Sequence, residues 1–349
     1  MRIAHCIYNL DSGGGAENLI IDIVNKMALY NDVELIIINA VYDDEMLSKI
    51  SNRVKVITLN RKPGSRSIIP IVRLNYELLR FRAQVVHCHN YSIPAYILPW
   101  AGRELFYTIH DLNISMKYSG RAKCLFAITD AVKEDAQKRT SSKIITIPNG
   151  INLDMISIKK TYDFDGTRPL RVVNVGRLEH DKKGQDILIN AVCRLKEMNV
   201  IVNVDFIGEG ASRDYLQNMV AELGLDEQIS FLGLKDRNYI YSHLKEYDLM
   251  CHPARYEGFG LTVAEGMAAG LPILVPDQGG PYELINKGNL GIVFENENVD
   301  DCARMLRKII QDYQNYIRIV PESREKVEKE YSLDAMVSKY LYEYKNNVQ

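Results

Sequence analysis

The densest group of chemically useful residues lies between positions 257 and 270. Glu257 precedes a short glycine loop at 258–261, and Glu265 stands eight residues after Glu257 in an apolar stretch with helical spacing. We therefore predict that Glu257 lies on a loop and Glu265 on the second turn of a helix. Free N–H groups at such a helix start can bind phosphate. Carboxylates on either side can accept hydrogen bonds from hydroxyl groups, so the pattern suits a nucleotide sugar.

Two cations upstream fit the same ligand. Arg177 follows a predicted strand at 170–175, and Lys183 stands six residues later. Open α/β sheets bind ligands at the carboxyl ends of their parallel strands. Paired Arg and Lys side chains at that edge suit a diphosphate.

A second glycine loop, Gly13-Gly14-Gly15, follows the first predicted strand. Such a loop lets the backbone approach a ligand closely. It does not match the dinucleotide fingerprint G-x-G-x-x-G, because Asn18 stands where Gly or Ala is required. A dehydrogenase is therefore unsupported, and a tight turn without a ligand stays the alternative for this loop.

The elements that must position these residues alternate along the chain, which predicts doubly wound parallel α/β sheets. Apolar runs predict strands at 2–8, 33–39, 54–59, 84–89, 105–109, 124–128, 143–147, 170–175, 201–207, 229–232, 248–251 and 272–275. Helical spacing occurs at 16–29, 68–82, 129–139, 184–198, 212–223, 237–246 and 261–269. The length of 349 residues suits two domains.

We place the N-terminal domain at 1–155, a linker at 156–169 and the C-terminal domain at 170–325. Residues 326–349 are predicted to form a helix that packs back toward the N-terminal domain, docked by Tyr340, Tyr342 and Tyr344.

Composition excludes several classes of protein. The formal net charge of −2 gives no case for nucleic-acid binding. No apolar run is long enough to span a membrane, and we expect no secretion signal at the start of the sequence. The six cysteines contain no C-x-x-C pair, which favours reduced thiols in the cytoplasm.

Basic residues concentrate in one strip of the first half, which fits either a solvated face or a surface for an anionic membrane or a diphosphate-bearing acceptor. Within positions 53–82 only Glu77 opposes them. The strip comprises Arg53, Lys55, Arg61, Lys62, Arg66, Arg73, Arg80 and Arg82.

The other residues that could bind a metal are interpreted as structural. Asp163 and Asp165 match the D-x-D pattern of metal-dependent transferases, but they lie in the predicted linker, which favours a solvated acidic turn. His87 and His89 share one face of a strand and are expected near the binding edge without a metal. His252, after a predicted strand, is expected to pack at that edge.

In these motifs the sequence resembles a retaining glycosyltransferase of family 4 with the GT-B fold. The resemblance covers essentially the whole chain, and the paired glutamates with their Gly-Arg…Lys-Gly partner are its most specific part. The motifs that carry it, in family order, are GGGAE (13–17), HCH (87–89), IHD (109–111), AITDAVKEDA (127–136), IPNGI (147–151), GRLEHDKKG (176–184), IGEG (207–210), EGFGLTVAEGMAAGLPIL (257–274) and GIVF (291–294).

The resemblance implies two Rossmann-like domains that face a central cleft, with acceptor bound by the N-terminal domain and donor by the C-terminal domain. It implies His110, Arg177, Lys183 and Glu257 as catalytic residues. His110 would lie beside the donor sugar, and the two cations would stabilise the diphosphate leaving group. Glu257 would bind the sugar hydroxyls.

The same resemblance implies that Glu265 binds the ribose and that the main chain near 232–234 reads the base. Gly14 and Gly15 would close over the phosphates. The implied donor-binding set is Gly14, Gly15, Arg177, Lys183, Leu232, Leu234, Glu257, Gly258, Phe259, Gly260, Leu261 and Glu265.

The expected function is metal-independent, retaining transfer of a sugar from a nucleotide sugar, UDP-linked before GDP-linked, to a glycan or polyprenyl-diphosphate-linked acceptor. No cofactor is expected. The expected setting is bacterial surface polysaccharide synthesis in the cytoplasm, at the inner face of the membrane. The alternatives are a nucleotide-sugar 2-epimerase or a pyridoxal-phosphate phosphorylase on the same fold, or a non-catalytic nucleotide-sugar-binding subunit.

Overall fold

The chain divides into two units. The computed structural model describes residues 1–11, 15–101 and 104–347. The first unit comprises Met1–Ile151 and Glu330–Gln349, and the second comprises Asn152–Lys329. The end of the chain therefore belongs to the same unit as its beginning. None of the described helices combines the length and apolar character needed to cross a bilayer.

The first unit is a parallel sheet with helices. Its described strands are β1 (Arg2–Ile7), β2 (Asp32–Asn39), β3 (Val54–Arg61), β4 (Val85–Cys88), β5 (Glu104–Ile109), β6 (Cys124–Ala127) and β7 (Ile144–Thr146). Its described helices, numbered along the whole chain, are α1 (Gly15–Met27), α2 (Asp44–Ser48), α3 (Ile69–Phe81), α4 (Asp130–Gln137) and α14 (Leu333–Asn347).

The strand order of the first sheet is β3-β2-β1-β4-β5-β6-β7, and every described pairing is parallel. The order reverses between β1 and β4, where open α/β sheets form a ligand-binding crevice. The register sets His5 beside His87 and Cys6 beside Cys88 across these two strands. The histidines therefore share one face of the sheet at the switch point.

The last helix completes the core of the first unit. Tyr340 and Tyr344 on α14 are buried, and both rings pack against Phe126 of β6. The predicted docking by tyrosine holds for these two residues. Tyr342 is 64% exposed and takes no part, because two residues along a helix turn a side chain away from the packed face.

The second unit repeats the architecture. Its described strands are β8 (Leu170–Val175), β9 (Val202–Ile207), β10 (Ile229–Gly233), β11 (Leu249–Cys251), β12 (Ile273–Pro276) and β13 (Ile292–Phe294). Its described helices are α5 (His180–Lys183), α6 (Gln185–Glu197), α7 (Arg213–Glu222), α8 (Arg237–His243), α9 (Leu261–Ala269), α10 (Gly279–Leu284), α11 (Val299–Gln311), α12 (Tyr313–Ile317) and α13 (Val320–Glu330).

The second sheet has the order β10-β9-β8-β11-β12-β13, again parallel in every described pair. Its order reverses between β8 and β11, so the loops after these two strands meet at the carboxyl edge. The prediction of doubly wound parallel α/β sheets in both halves is confirmed. The sequence did not predict β13 or the helices α5, α10, α11 and α12, and the predicted helix at 326–349 is divided between α13 and α14. Helix α11 carries Cys302, Leu306 and Ile309 buried at helical spacing.

The segment predicted as a linker contains no helix or strand between 156 and 169. It nevertheless packs on the second unit, where Ser157 donates its N–H to the Tyr241 carbonyl at 3.0 Å and Lys159 donates to the Ala269 carbonyl at 2.8 Å. Phe164 is buried between Asp163 and Asp165, both of which are exposed. The two carboxylates therefore lie on a solvated turn.

Candidate active site

The switch point of the second sheet brings together two of the predicted catalytic residues. Lys183, on the short helix α5 after β8, forms an ion pair with Glu257, on the loop after β11. Both side chains are only 18% exposed. Burial weakens the screening of the pair by water, so the two charges position each other more strongly than a surface pair would.

A glycine makes this approach possible. Gly184 has φ +65°, and a Cβ at that position would lie 2.0 Å from the Pro253 carbonyl oxygen. The end of α5 can therefore lie directly against the chain that leaves β11. This contact sets the distance between Lys183 and Glu257.

His252 is a third member of the group. Its side chain is 4% exposed, and Nε2 lies 3.6 Å from the Glu257 carboxylate. Burial by itself raises the pKa of Glu257, but His252 and the positive charge of Lys183 outweigh it and hold that pKa well below its usual range. Burial, the largest effect, lowers the pKa of His252. Glu257 is therefore an ionised hydrogen-bond acceptor at neutral pH.

The glycine loop after Glu257 leads directly into α9. Gly260, with φ +89°, precedes Leu261 and has no side chain with which to cap the helix. Helix α10 packs closely against the loop, because a Cβ at Gly280 would lie 2.5 Å from both the Gly258 carbonyl oxygen and the Phe259 Cα. The loop therefore has little freedom, and the first turn of α9 follows it with fixed orientation.

Glu265 lies on the second turn of α9, as predicted. Its carboxylate accepts a hydrogen bond from the Tyr241 hydroxyl at 2.8 Å, and that hydroxyl accepts one from Arg237 Nε at 2.6 Å. Both partners come from α8. They hold the carboxylate in one orientation, which preorganises it as a hydrogen-bond acceptor.

The remaining predicted donor-site residues of the second unit are more exposed. Arg177 is 52% exposed and forms an ion pair with Glu179 at 3.1 Å. Leu234 is 69% exposed, and Leu232 is half-buried next to Gly233. The main chain at this point is ordered by β10, since the Gly208 N–H donates to the Gly233 carbonyl at 3.0 Å.

His110 and Gly15 belong to the first unit. His110 directly follows β5, and its Nε2 lies 3.1 Å from His89 Nδ1. Burial lowers the pKa of His110 to about 4, against the opposing charge of Asp111. Gly15 is the exposed first residue of α1, and Gly14 lies outside the described residues.

Histidines cluster at the switch point of the first sheet. The rings of His5, His87 and His89 are buried, and one nitrogen from each lies within 4.8 Å of the others, a spacing that can suit a metal ion. The sequence identified His87 and His89 but not His5. The signal was available, since β1 and β4 are neighbours in this fold and His5 stands at the same register.

The sequence also did not predict that three further residues of the second unit contact the site glutamates or their partners. His252 was interpreted as packing alone, although it lies against Glu257. Tyr241 and Arg237 carried no motif, because their role depends on the placement of α8 beside α9. Together the groups offer fixed positive charge, backbone N–H groups at a helix start and oriented carboxylates, which suit a phosphate ester with hydroxyls on either side.

Family comparisons agree with this chemistry. Residues 157–330 match the family model for glycosyl transferases group 1, and residues 13–155 match the model for glycosyltransferase family 4.

Individual proteins extend the similarity. The chain is 24% identical over 346 residues to a Campylobacter jejuni N-acetylgalactosaminyltransferase whose name specifies a diphospho-undecaprenol-linked acceptor, covering 88% of this chain and 89% of that one. It is 31% identical to an Escherichia coli O-antigen biosynthesis glycosyltransferase over 56% of this chain and 58% of that one. The fold matches the Anabaena protein HepE, crystallised with UDP and glucose, at a TM-score of 0.82 and 18% identity, covering 99% of this chain and 100% of that one.

Proposed function

The chain belongs to the group 1, family 4 glycosyltransferases, and we propose that it moves a sugar from a nucleotide-sugar donor to a glycan or lipid-linked glycan acceptor with retention of anomeric configuration. The observation that carries the proposal is the ion pair between Lys183 on α5 and Glu257 on the loop that leads into α9, with each side chain only 18% exposed. It offers a cation to the donor diphosphate and an ionised carboxylate to the sugar hydroxyls within one rigid group.

In the proposed reaction, the bond between the anomeric carbon and the donor diphosphate breaks, and a bond to an acceptor oxygen forms on the same face. The acceptor proton passes to a diphosphate oxygen. Arg177 and Lys183 stabilise the negative charge that develops on the leaving group, which is the largest contribution expected from such a site. Neither a metal nor an organic cofactor is needed in this scheme.

The donor proposal favours UDP-sugars, with GDP-sugars next. The HepE structure was determined with UDP and glucose, which supports uridine as the first base to test. In the same scheme Glu265 binds the ribose and the main chain at 232–234 contacts the base. The proposed acceptor is part of a bacterial surface polysaccharide, an idea supported by the O-antigen and diphospho-undecaprenol relatives.

Slow hydrolysis of the donor tests stereochemistry without an acceptor. Proton NMR of the enzyme with UDP-α-sugars should show the α-anomer of the free sugar before it mutarotates. First appearance of the β-anomer would contradict retention.

The same experiment separates the alternatives. A 2-epimerase would change the coupling pattern at C2 of the sugar and produce a new sugar in every turnover. A non-catalytic subunit would bind the nucleotide sugar without turnover, alone or with any acceptor.

We also propose that the first unit contacts an anionic membrane through the strip 53–82, at the inner face of the cytoplasmic membrane. One face of α3 exposes apolar residues at helical spacing, with Ile69 at 73%, Val72 at 62% and Tyr76 at 60%. Arg73 and Arg80 are exposed on the same helix. An exposed apolar stripe bordered by arginines is typical of helices that lie in a membrane interface.

Vesicle sedimentation tests this contact. The protein should sediment with vesicles containing phosphatidylglycerol and much less with pure phosphatidylcholine, and Arg73→Glu or Val72→Ser should weaken binding. Arg307→Glu, on an exposed face of α11 in the second unit, is the matched control for charge. The proposal would be contradicted if the fraction of protein that sediments with vesicles changed neither with lipid charge nor in the α3 variants.

A further inference from the structure

Three histidines form a chain that ends at His110. His5 Nδ1 lies 2.9 Å from His89 Nε2, and His89 Nδ1 lies 3.1 Å from His110 Nε2. At the far end, His5 Nε2 lies 3.4 Å from the sulfur of Met27, the last residue of α1. The row of hydrogen-bonded side chains therefore leads from Met27, on a helix in the core of the first unit, to His110, a partly exposed residue of the proposed site.

All three imidazoles are neutral at pH 7. Burial lowers the pKa of His5 to about 3 and that of His110 to about 4, and it holds the pKa of His89 well below its ordinary value. A neutral imidazole carries one proton on its two nitrogens, so each ring donates at one nitrogen and accepts at the other.

The direction of the hydrogen bonds along the three histidines is set at Met27. A thioether sulfur accepts a weak hydrogen bond but has no proton to donate. A proton on His5 Nε2 therefore faces an acceptor, whereas a bare Nε2 would face the sulfur lone pairs. With the proton on Nε2, His5 Nδ1 accepts from His89 Nε2–H, and His89 Nδ1 accepts from His110 Nε2–H.

We propose that Met27, His5 and His89 are positioning residues that hold His110 as its Nε2–H tautomer and leave its Nδ1 free to accept a hydrogen bond. The use of this nitrogen rests on the proposed function, in which a hydroxyl of the donor sugar donates to it. The neighbouring Asp111 accepts the Leu112 N–H at 2.9 Å through Oδ1.

The hydrogen bonds around the cluster favour this network over a metal centre. His87 Nε2 lies 2.6 Å from Thr108 Oγ1, and its Nδ1 lies 2.5 Å from the Tyr344 hydroxyl. Each ring nitrogen of His5, His87 and His89 thus has a partner among the described residues. A metal ion would have to replace several of these bonds.

Nitrogen-15 NMR of the ligand-free enzyme, labelled at histidine, tests the tautomer directly. The seven histidines are assigned from single His→Gln variants. At pH 7, His110 Nε2 should have the chemical shift of a protonated ring nitrogen and Nδ1 that of a bare one. A protonated Nδ1, an imidazolium, or stoichiometric metal found by elemental analysis would each overturn the proposal.

The methionine is tested by Met27→Leu, which removes the acceptor and keeps the apolar volume. The His110 shifts should move toward the average of the two tautomers, and kcat/KM for the donor should fall about 2- to 10-fold, the range expected for one hydrogen bond. Met46→Leu is the control, since Met46 is also buried in the first unit. Unchanged His110 shifts in Met27→Leu would contradict the methionine's role. An Nε2–H tautomer in a protein without transferase activity would leave the network standing and overturn the proposed function alone.

Discussion

At the scale of single residues, Lys183 and Glu257 hold each other in place before any donor binds. Their pair is largely shielded from water, and His252 lies against the same carboxylate. A diphosphate that reaches Lys183 meets a cation already fixed in position, which lowers the reorganisation required during transfer. The carboxylate stays ionised because its pKa is held low, so it can accept sugar hydroxyls throughout the neutral range.

The pair is tested by Lys183→Ala and Glu257→Ala. Each should reduce turnover at least about a hundredfold, the loss found when one preorganised electrostatic group is removed. Steady-state kinetics provide the measurement and circular dichroism the check on folding. Lys182→Ala, one position away with the same change in charge, should stay near wild type. Activity within a few-fold of wild type in either site variant would contradict the site assignment.

At the scale of elements, two loops must approach within van der Waals contact for the pair to form, and Gly184 permits it. Gly184→Ala combines an unfavourable positive φ with a 2.0 Å clash against the Pro253 carbonyl. We expect a larger loss of stability than the roughly 1–2 kcal/mol that positive φ alone costs an alanine, together with loss of activity.

Gly166→Ala measures how much stability the positive φ alone costs. Gly166 has φ +86°, and nothing lies within 4 Å of the position of its Cβ. Urea denaturation and donor turnover of the two variants provide the comparison. Equal effects in both would show that the close approach at Gly184 is unimportant.

The buried histidines in or directly after strands β1, β4 and β5 predict a pH dependence of stability. The pKa of His110 falls from an unfolded value near 6.5 to about 4 in the folded state, so the unfolded chain binds more protons within that window. The free energy of unfolding should therefore rise with pH from about 4 to 6.5, by at most about 1.4 kcal/mol per pH unit for each such histidine.

Denaturant titrations across that range measure the slope. His89→Gln should reduce it, because one buried histidine no longer titrates, while His243→Gln in the second unit serves as the control. A slope that His89→Gln leaves unchanged would contradict the account.

Most of the element order could be predicted from the sequence. Apolar strands that alternate with amphipathic helices are compatible with few folds other than doubly wound parallel sheets. The position of Glu265 on the second turn of α9 followed from spacing within one helix. The partners of Glu265 and Glu257 could not be predicted this way. Tyr241 lies 24 residues before Glu265, and the two meet only because α8 packs beside α9. The bridge from Met27 to His110 likewise depends on four separate elements, α1, β1, β4 and β5.

At the scale of the whole molecule, the second unit brings Lys183 and Glu257 together where its strand order reverses, between β8 and β11. The second unit carries the residues proposed to bind the donor, and the first unit carries His110 and the exposed face of α3. The C-terminal helix α14 is part of the first unit, where Tyr344 bonds to His87 at 2.5 Å. The last helix of the chain therefore holds His87, whose ring packs against those of His5 and His89.

Every role proposed for these residues depends on the binding of a nucleotide-sugar donor. Isothermal titration calorimetry and thermal shift with UDP, GDP, ADP and their common sugar conjugates, with and without magnesium, test it most directly. A ligand that binds only the folded state raises stability by RT ln(1 + [L]/Kd), so even weak donors are detectable. We predict that one nucleotide, first of all uridine, binds without magnesium and that Lys183→Ala abolishes the response. No binding by any of these ligands would contradict the account.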